Sequence, residues 1–164
     1  MQETKQRSRF VLEPAVTRKA NYSLAPVNQG LSRFTELTLT LKVTAAERDS
    51  GNETYDVYIT TENRAGETWD LVHFPQVAAT GAKTFVARLR SDLLAQQVTT
   101  AVPGVASNES ATLRTETGGA NQGTKTLGAG VVRHGPWGDK IGYELVVAGT
   151  LATGIGYSIH GEAR

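Results

Sequence analysis

The sequence predicts an all-β protein, an antiparallel β-sandwich of jelly-roll type with eight or nine strands. Three observations lead there. Apolar side chains recur at every second position in four separate runs, 37 to 43, 55 to 59, 85 to 89 and 141 to 147, which is the period of a strand with one buried face. The runs are separated by short polar stretches rich in Gly, Asn, Asp and Ser, and the chain holds 17 glycines, as a fold with many turns requires. Helical periodicity is confined to one short segment, so less than about a fifth of the chain is expected to be helical.

A segment within residues 9 to 17 is the first strand candidate. It lies in a mildly basic start, where Lys5, Arg7, Arg9, Arg18 and Lys19 outnumber Glu3 and Glu13, so residues 1 to 19 are expected to be a basic arm or a first strand. Residues 20 to 164 then form a single sandwich domain. In "FTELTLTLKVTA" Leu37, Leu39, Leu41 and Val43 share one parity while Thr38, Thr40 and Lys42 share the other. "AERDSGNET" is a loop. "TYDVYITT" turns Tyr55, Val57 and Ile59 to one side and Tyr58 to the other, and "ENRAGE" makes a hairpin to "TWDLVHF". Pro75 cannot donate to a ladder and ends that strand.

"KTFVARLR" follows, with Phe85, Ala87 and Leu89 inward. "SDLLAQQVTTAV" is the helical candidate, capped by Ser91 or Asp92 and one short helix at most. One strand is expected near Ala111, Leu113 and Thr115, and a flexible loop near 117 to 126, where "GGANQGTKT" offers little apolar surface. "TLGAGVVR", "IGYELVVAG" and "TGIGYSIHG" supply the last strands, with "HGPWGDK" a compact turn between the first two. Gly142 and Gly156 inside these strands mark bulges or close backbone approach.

The 164 residues suffice for one domain with its own core. The chain has no cysteine, which removes disulfides, thiolate catalysis and sulfur-ligated metals. A formal charge of +1, from 17 Lys and Arg against 16 Asp and Glu, gives no long-range attraction for nucleic acid. The polar start lacks the apolar core of a secretory signal, and no run has the length of a membrane span.

No motif for nucleophilic, nucleotide-dependent or zinc chemistry is present. His73, His134 and His160 lack metal-ligand spacing, and His73, alternating with Trp69 and Leu71, is expected on a strand near the core face as a structural imidazole. Asp49, Asn52 and Glu53 lack the regular spacing of a calcium loop. Asp70 and Glu144 are a carboxylate pair of unknown separation. The expectation is a protein that is not an enzyme and uses no cofactor or metal. Among the aromatics, Trp69 is expected in the core. Trp137, between Pro136 and Gly138, is the candidate exposed anchor, with folding back over the core as the alternative.

"FTELTLTLKV", "NETYDVYITT", "WDLVHFPQV" and "TGAKTFVARL", together with the basic start, resemble small β-rich structural proteins of tailed-bacteriophage heads, both coat-like and capsid-decorating. The resemblance covers residues 30 to 90 and implies a virion structural protein that stabilises an icosahedral shell, made in the host cytoplasm and residing in the capsid. Its partners would be copies of itself or a major capsid protein. No spine helix of the common major shell fold is recognisable. The expected contact residues are Arg7 and Arg9 as screened charges, Phe10, Val11 and Leu12 as an apolar anchor, and Trp137 as a second packing contact. The alternative is a carbohydrate-binding sandwich that displays its aromatics.

Overall fold

In the computed structural model the chain is described over residues 6–91, 127–133 and 136–164. The strands, in chain order, are β1 (Ser8–Arg18), β2 (Tyr22–Asn28), β3 (Glu36–Ala46), β4 (Thr54–Glu62), β5 (Thr68–His73), β6 (Lys83–Arg90), β7 (Val131–Val132), β8 (Lys140–Ala148) and β9 (Ile155–Ala163), with a 3-10 turn at Leu31–Arg33. They form two antiparallel sheets, a four-stranded one in the order β1-β9-β3-β6 and a five-stranded one in the order β2-β8-β4-β5-β7. The antiparallel sandwich expected from the sequence is observed. The expected helix at 91 to 102, the strand near 111 to 115 and the loop at 117 to 126 lie outside the described residues, apart from Ser91.

Alternation explains the layers. Leu37, Leu39, Leu41 and Val43 of β3 and Tyr157 and Ile159 of β9 face Tyr55, Val57 and Ile59 of β4 and Ile141, Tyr143 and Leu145 of β8 in one buried cluster. Twelve side chains of this size, each contributing about 1.5–3 kcal/mol on burial, supply the main favourable term against chain entropy. Thr38, Thr40 and Lys42 fall on the outer face of the four-stranded sheet, as their parity requires.

The β4–β5 hairpin closes through Asn63, whose Oδ1 accepts from the Ala65 and Glu67 amides at 2.9 Å each, with Gly66 at φ 82 in the left-handed position that this loop needs. Beyond it the register shifts: Thr61 pairs with Trp69 and Thr60 with Asp70, but Ile59 pairs with Val72. Leu71 is the extra residue of a bulge, so parity inverts along β5. Trp69 stays in the core as expected, whereas His73 emerges on the outer face opposite Tyr58, not beside the core.

Residues 8 to 18 are a first strand and not a free arm. They pair with β9 from Ser8↔Ala163 to Arg18↔Ile155, with shifts on either side of Glu13. β2 was not evident from the sequence, because Pro26 interrupts its pattern. A Cβ on Gly142 would lie 2.4 Å from the Leu24 carbonyl oxygen, so glycine at 142 lets the β2 backbone approach β8. Gly156 sits opposite the β3 shift between Val43 and Ala45, where a Cβ would lie 2.6 Å from Thr44 Oγ1.

Candidate assembly surface and buried polar clusters

The outer face of the four-stranded sheet carries threonine and charged side chains. Cross-strand rows run Arg9–Glu162–Thr38–Arg88 and Val11–His160–Thr40–Val86. A groove of about 680 Å³ lies over them, with Arg9, Arg88 and Arg164 set round a floor of Thr38, Thr40 and His160. Glu162 is its electrostatic centre. It accepts from Arg9 Nε at 3.1 Å and Arg164 Nε at 3.1 Å, with Arg7 Nε 3.7 Å away. Hydrogen bonds from Arg164 and Arg9 hold its carboxyl below the ordinary range, the nearby Arg charges adding to the effect.

The expected contact residues are divided by this geometry. Arg7, Arg9 and Val11 are exposed, Val11 at 53%. Arg7 and Arg9 both spend charge on Glu162 of their own chain. Phe10 lies over its cross-strand partner Gly161, where a Cβ would fall 2.1 Å from the ring, so the aromatic group covers a glycine within the sheet. Leu12 is buried in the core.

Trp137 requires a correction. It is 6% exposed, packed in the core, and its indole N–H donates to the Leu31 carbonyl at 3.1 Å. The folded-back alternative is the one observed. The reason lies in the neighbouring residues: the Gly138 amide donates to Thr61 Oγ1 at 2.9 Å, and Asp139 Oδ1 accepts from the Ser32 amide at 3.0 Å. These bonds clamp the turn across the 3-10 segment and the end of β4, leaving the indole one direction to point.

Three buried polar clusters were not legible as groups. In the first, Glu13 accepts from the Tyr143 hydroxyl and from Arg18 Nη2 (2.8 Å), while Arg18 Nε donates to Tyr157 Oη at 3.1 Å and the two tyrosine hydroxyls lie 3.0 Å apart. The Arg18 guanidinium also lies 3.3 Å from the centroid of the Tyr22 ring. Burial opposes the charge on Arg18, but the Glu13 hydrogen bond together with the Tyr143 and Tyr157 contacts outweighs it and raises the guanidinium above its ordinary range. Tyr143 is raised first by burial and then by its Glu13 contact. The cluster draws on β1 and β9 of one sheet and β2 and β8 of the other, so it ties the sheets together.

The second cluster is Glu47, the first residue of the loop that leaves β3. Its carboxylate accepts from the Ala152 amide at 2.7 Å, Thr153 Oγ1 at 3.0 Å and the amides of Thr153 and Gly154. The Gly154 and Ala152 amides, against the opposing effect of burial, hold it at about 2. It fixes the β8–β9 loop. Nearby, Glu53 Oε1 accepts from the Ser50 amide at 2.8 Å and Arg48 Nη1 donates to the Glu53 carbonyl at 3.0 Å, while Glu53 Oε2 is buried with no hydrogen-bond partner among the described residues.

The third is His73, stacked on Tyr58 with ring centroids 3.9 Å apart. Nδ1 lies 2.9 Å from the Leu127 carbonyl and Nε2 lies 2.8 Å from Asp56 Oδ1, whose other oxygen accepts from Gln76 Nε2 at 2.8 Å. Burial would raise Asp56, but its bonds to His73 and Gln76 lower it overall. Tyr58 is pushed up to about 12, by burial first and then by Asp56, Asp70 and Glu144. Asp70 and Glu144 thus reach one outer face, on either side of β4, with Tyr58 between them. Both ring nitrogens of His73 lie against oxygens of its own chain, and the cluster fastens residue 127 to the sheet.

No protein-family model matches the chain, and neither curated proteins nor solved structures give a match.

Proposed function

We propose that the sandwich is a single jelly roll and that the protein is a non-enzymatic virion structural component, a capsid decoration or coat protein that acts in many copies. The observation that carries the reading is the nesting of strand pairs. β1 pairs with β9, β2 with β8, β3 with β6 and β4 with β5, and these pairs alternate between the two sheets. One long antiparallel ribbon, bent at the β4–β5 hairpin and rolled up, has this order, and shell and lectin domains are built from it.

Within that class the aromatic side chains favour the shell role over the carbohydrate-binding alternative. A sugar platform needs exposed rings, whereas Trp69, Trp137, Tyr55, Tyr143 and Tyr157 are buried and Tyr22 is half-buried beneath Arg18. A catalytic jelly roll needs an open interior, whereas the inter-sheet space here is filled by leucine, isoleucine and tyrosine. What is displayed is a broad Thr and Arg face, suited to subunit contacts of moderate polarity. Exposed Val11 and the Arg7–Arg9–Glu162–Arg164 cluster replace Trp137 in the proposed contact set.

Sedimentation of the protein from its native source tests this reading alongside passage over immobilised polysaccharides. Cosedimentation with a large particle, and no retention, is expected; a monomer retained by polysaccharide would establish the alternative.

A further inference from the structure

We propose that β6 is a docking edge that takes up an extended, carboxylate-bearing segment of a partner chain as an added strand. This inference does not rest on the virion reading. The two sheets have four edges, and three are guarded. β1 is broken by two register shifts and Pro14, β2 by a shift at Pro26, and β7 has only 2 residues. β6 is different: its 8 residues run in unbroken register against β3, from Lys83↔Val43 to Arg90↔Glu36.

The hydrogen-bond phase shows which groups are open. Ser91 N–H donates to the Thr35 carbonyl at 2.9 Å, and Glu36 and Arg164 exchange both of their bonds at 2.9 Å. In β3, therefore, odd-numbered residues bond to β6 and even-numbered residues to β9. The N–H and C=O groups of Thr84, Val86 and Arg88 consequently point away from the sheet, and among the described residues none has a partner.

Charge selects the occupant. The edge carries Lys83, Arg88 and Arg90 and no acid. The Lys83 ammonium is drawn back to the Ala79 and Thr80 carbonyls, at 3.1 and 3.0 Å, while Arg88 is exposed and has no ion-pair partner among the described residues. Two copies pairing antiparallel through β6 would bring these cations together, which disfavours self-association. An acidic strand meets the opposite condition. Its main chain would satisfy the open groups, a carboxylate would lie beside Arg88 at the rim of the groove, and an apolar residue of the other parity would meet half-buried Phe85.

The test uses the full chain with a capped synthetic peptide alternating glutamate with valine and threonine, followed by amide chemical shifts and titration calorimetry. Expected are shifts centred on Thr84, Val86 and Arg88 and a Kd that weakens with salt. Arg88→Glu should weaken binding about tenfold, and a peptide with lysine in place of glutamate should restore it. Val86→Pro removes an outward N–H without a ladder bond and should abolish binding while the β spectrum persists. Perturbations elsewhere, equal binding of the lysine peptide by the wild type, unchanged affinity in Arg88→Glu, or dimerisation through β6 that the acidic peptide does not displace would each overturn the proposal.

Discussion

Replacing Trp137 separates a core residue from a contact residue. The side chain is 6% exposed and makes one buried hydrogen bond, to Leu31. Trp137→Phe keeps most of the apolar contact and removes one of the two hydrogen bonds to the Leu31 carbonyl, which keeps its bond from the Phe34 amide, at a cost of about 0.5–1.5 kcal/mol. Trp137→Ala also opens a cavity, for a total of about 3–5 kcal/mol. Against the 5–15 kcal/mol typical of a domain, the alanine variant should be close to the limit of folding. At about 2–4 °C per kcal/mol for a chain of this size, the melting temperature should fall by roughly 6–20 °C. Urea unfolding followed by far-UV circular dichroism measures this, with Trp69 as an independent fluorescence reporter. An alanine variant with stability within about 0.5 kcal/mol of wild type, yet defective in assembly, would refute the packing argument and return Trp137 to the surface.

Other substitutions follow from the clusters. Glu13→Ala removes the acceptor of Arg18 Nη2 and of the Tyr143 hydroxyl between the sheets, leaving only the bonds to Tyr157; since the Arg18 side chain retains 23% exposure, about 2–3 kcal/mol is expected in urea titrations, less than for a wholly buried pair. Glu47 is lowered from the ordinary 4.5 to about 2 in the folded protein, so its stabilising effect is full above about 4.5 and is lost as pH falls toward 2. Acid unfolding curves of Glu47→Gln should lack that part of the slope. Gly138→Ala places a Cβ 1.8 Å from the Glu62 carbonyl oxygen and should destabilise by about 3 kcal/mol or more in thermal melts. Gly51→Ala meets no atom within 4 Å and bears only the cost of φ 77, about 1–2 kcal/mol.

The strands of strongest alternation were legible because a period of two needs no tertiary information. β3, β4, β6, β8 and β9 all appear where Leu, Val, Ile and Tyr alternate with polar residues. What failed to show was whatever depends on a distant partner. β2 carries Pro26 and acquires its meaning only from the Gly142 surface that accepts it. The bulge at Leu71 inverts the parity of "WDLVHF", and no residue within that stretch announces the inversion. Trp137 looked exposed because flanking Gly and Pro suit a surface turn, yet Ser32 and Thr61, far away in sequence, fold that turn inward. The Glu13 and Glu47 clusters join residues more than a hundred positions apart, and a lone buried acid in a sequence looks like any other. In the candidate surface, Arg9 and Val11 were found from a basic, amphipathic start, while Arg88 and Glu162 required the register of four strands.

Electron cryo-microscopy of particles from the native source tests the central claim most directly. The account predicts many symmetry-related copies of a rolled two-sheet domain in or on an icosahedral shell, with the outer face of the β1-β9-β3-β6 sheet or its β6 edge against a neighbouring subunit. A chain absent from such particles, and recovered as an isolated monomer, would contradict it.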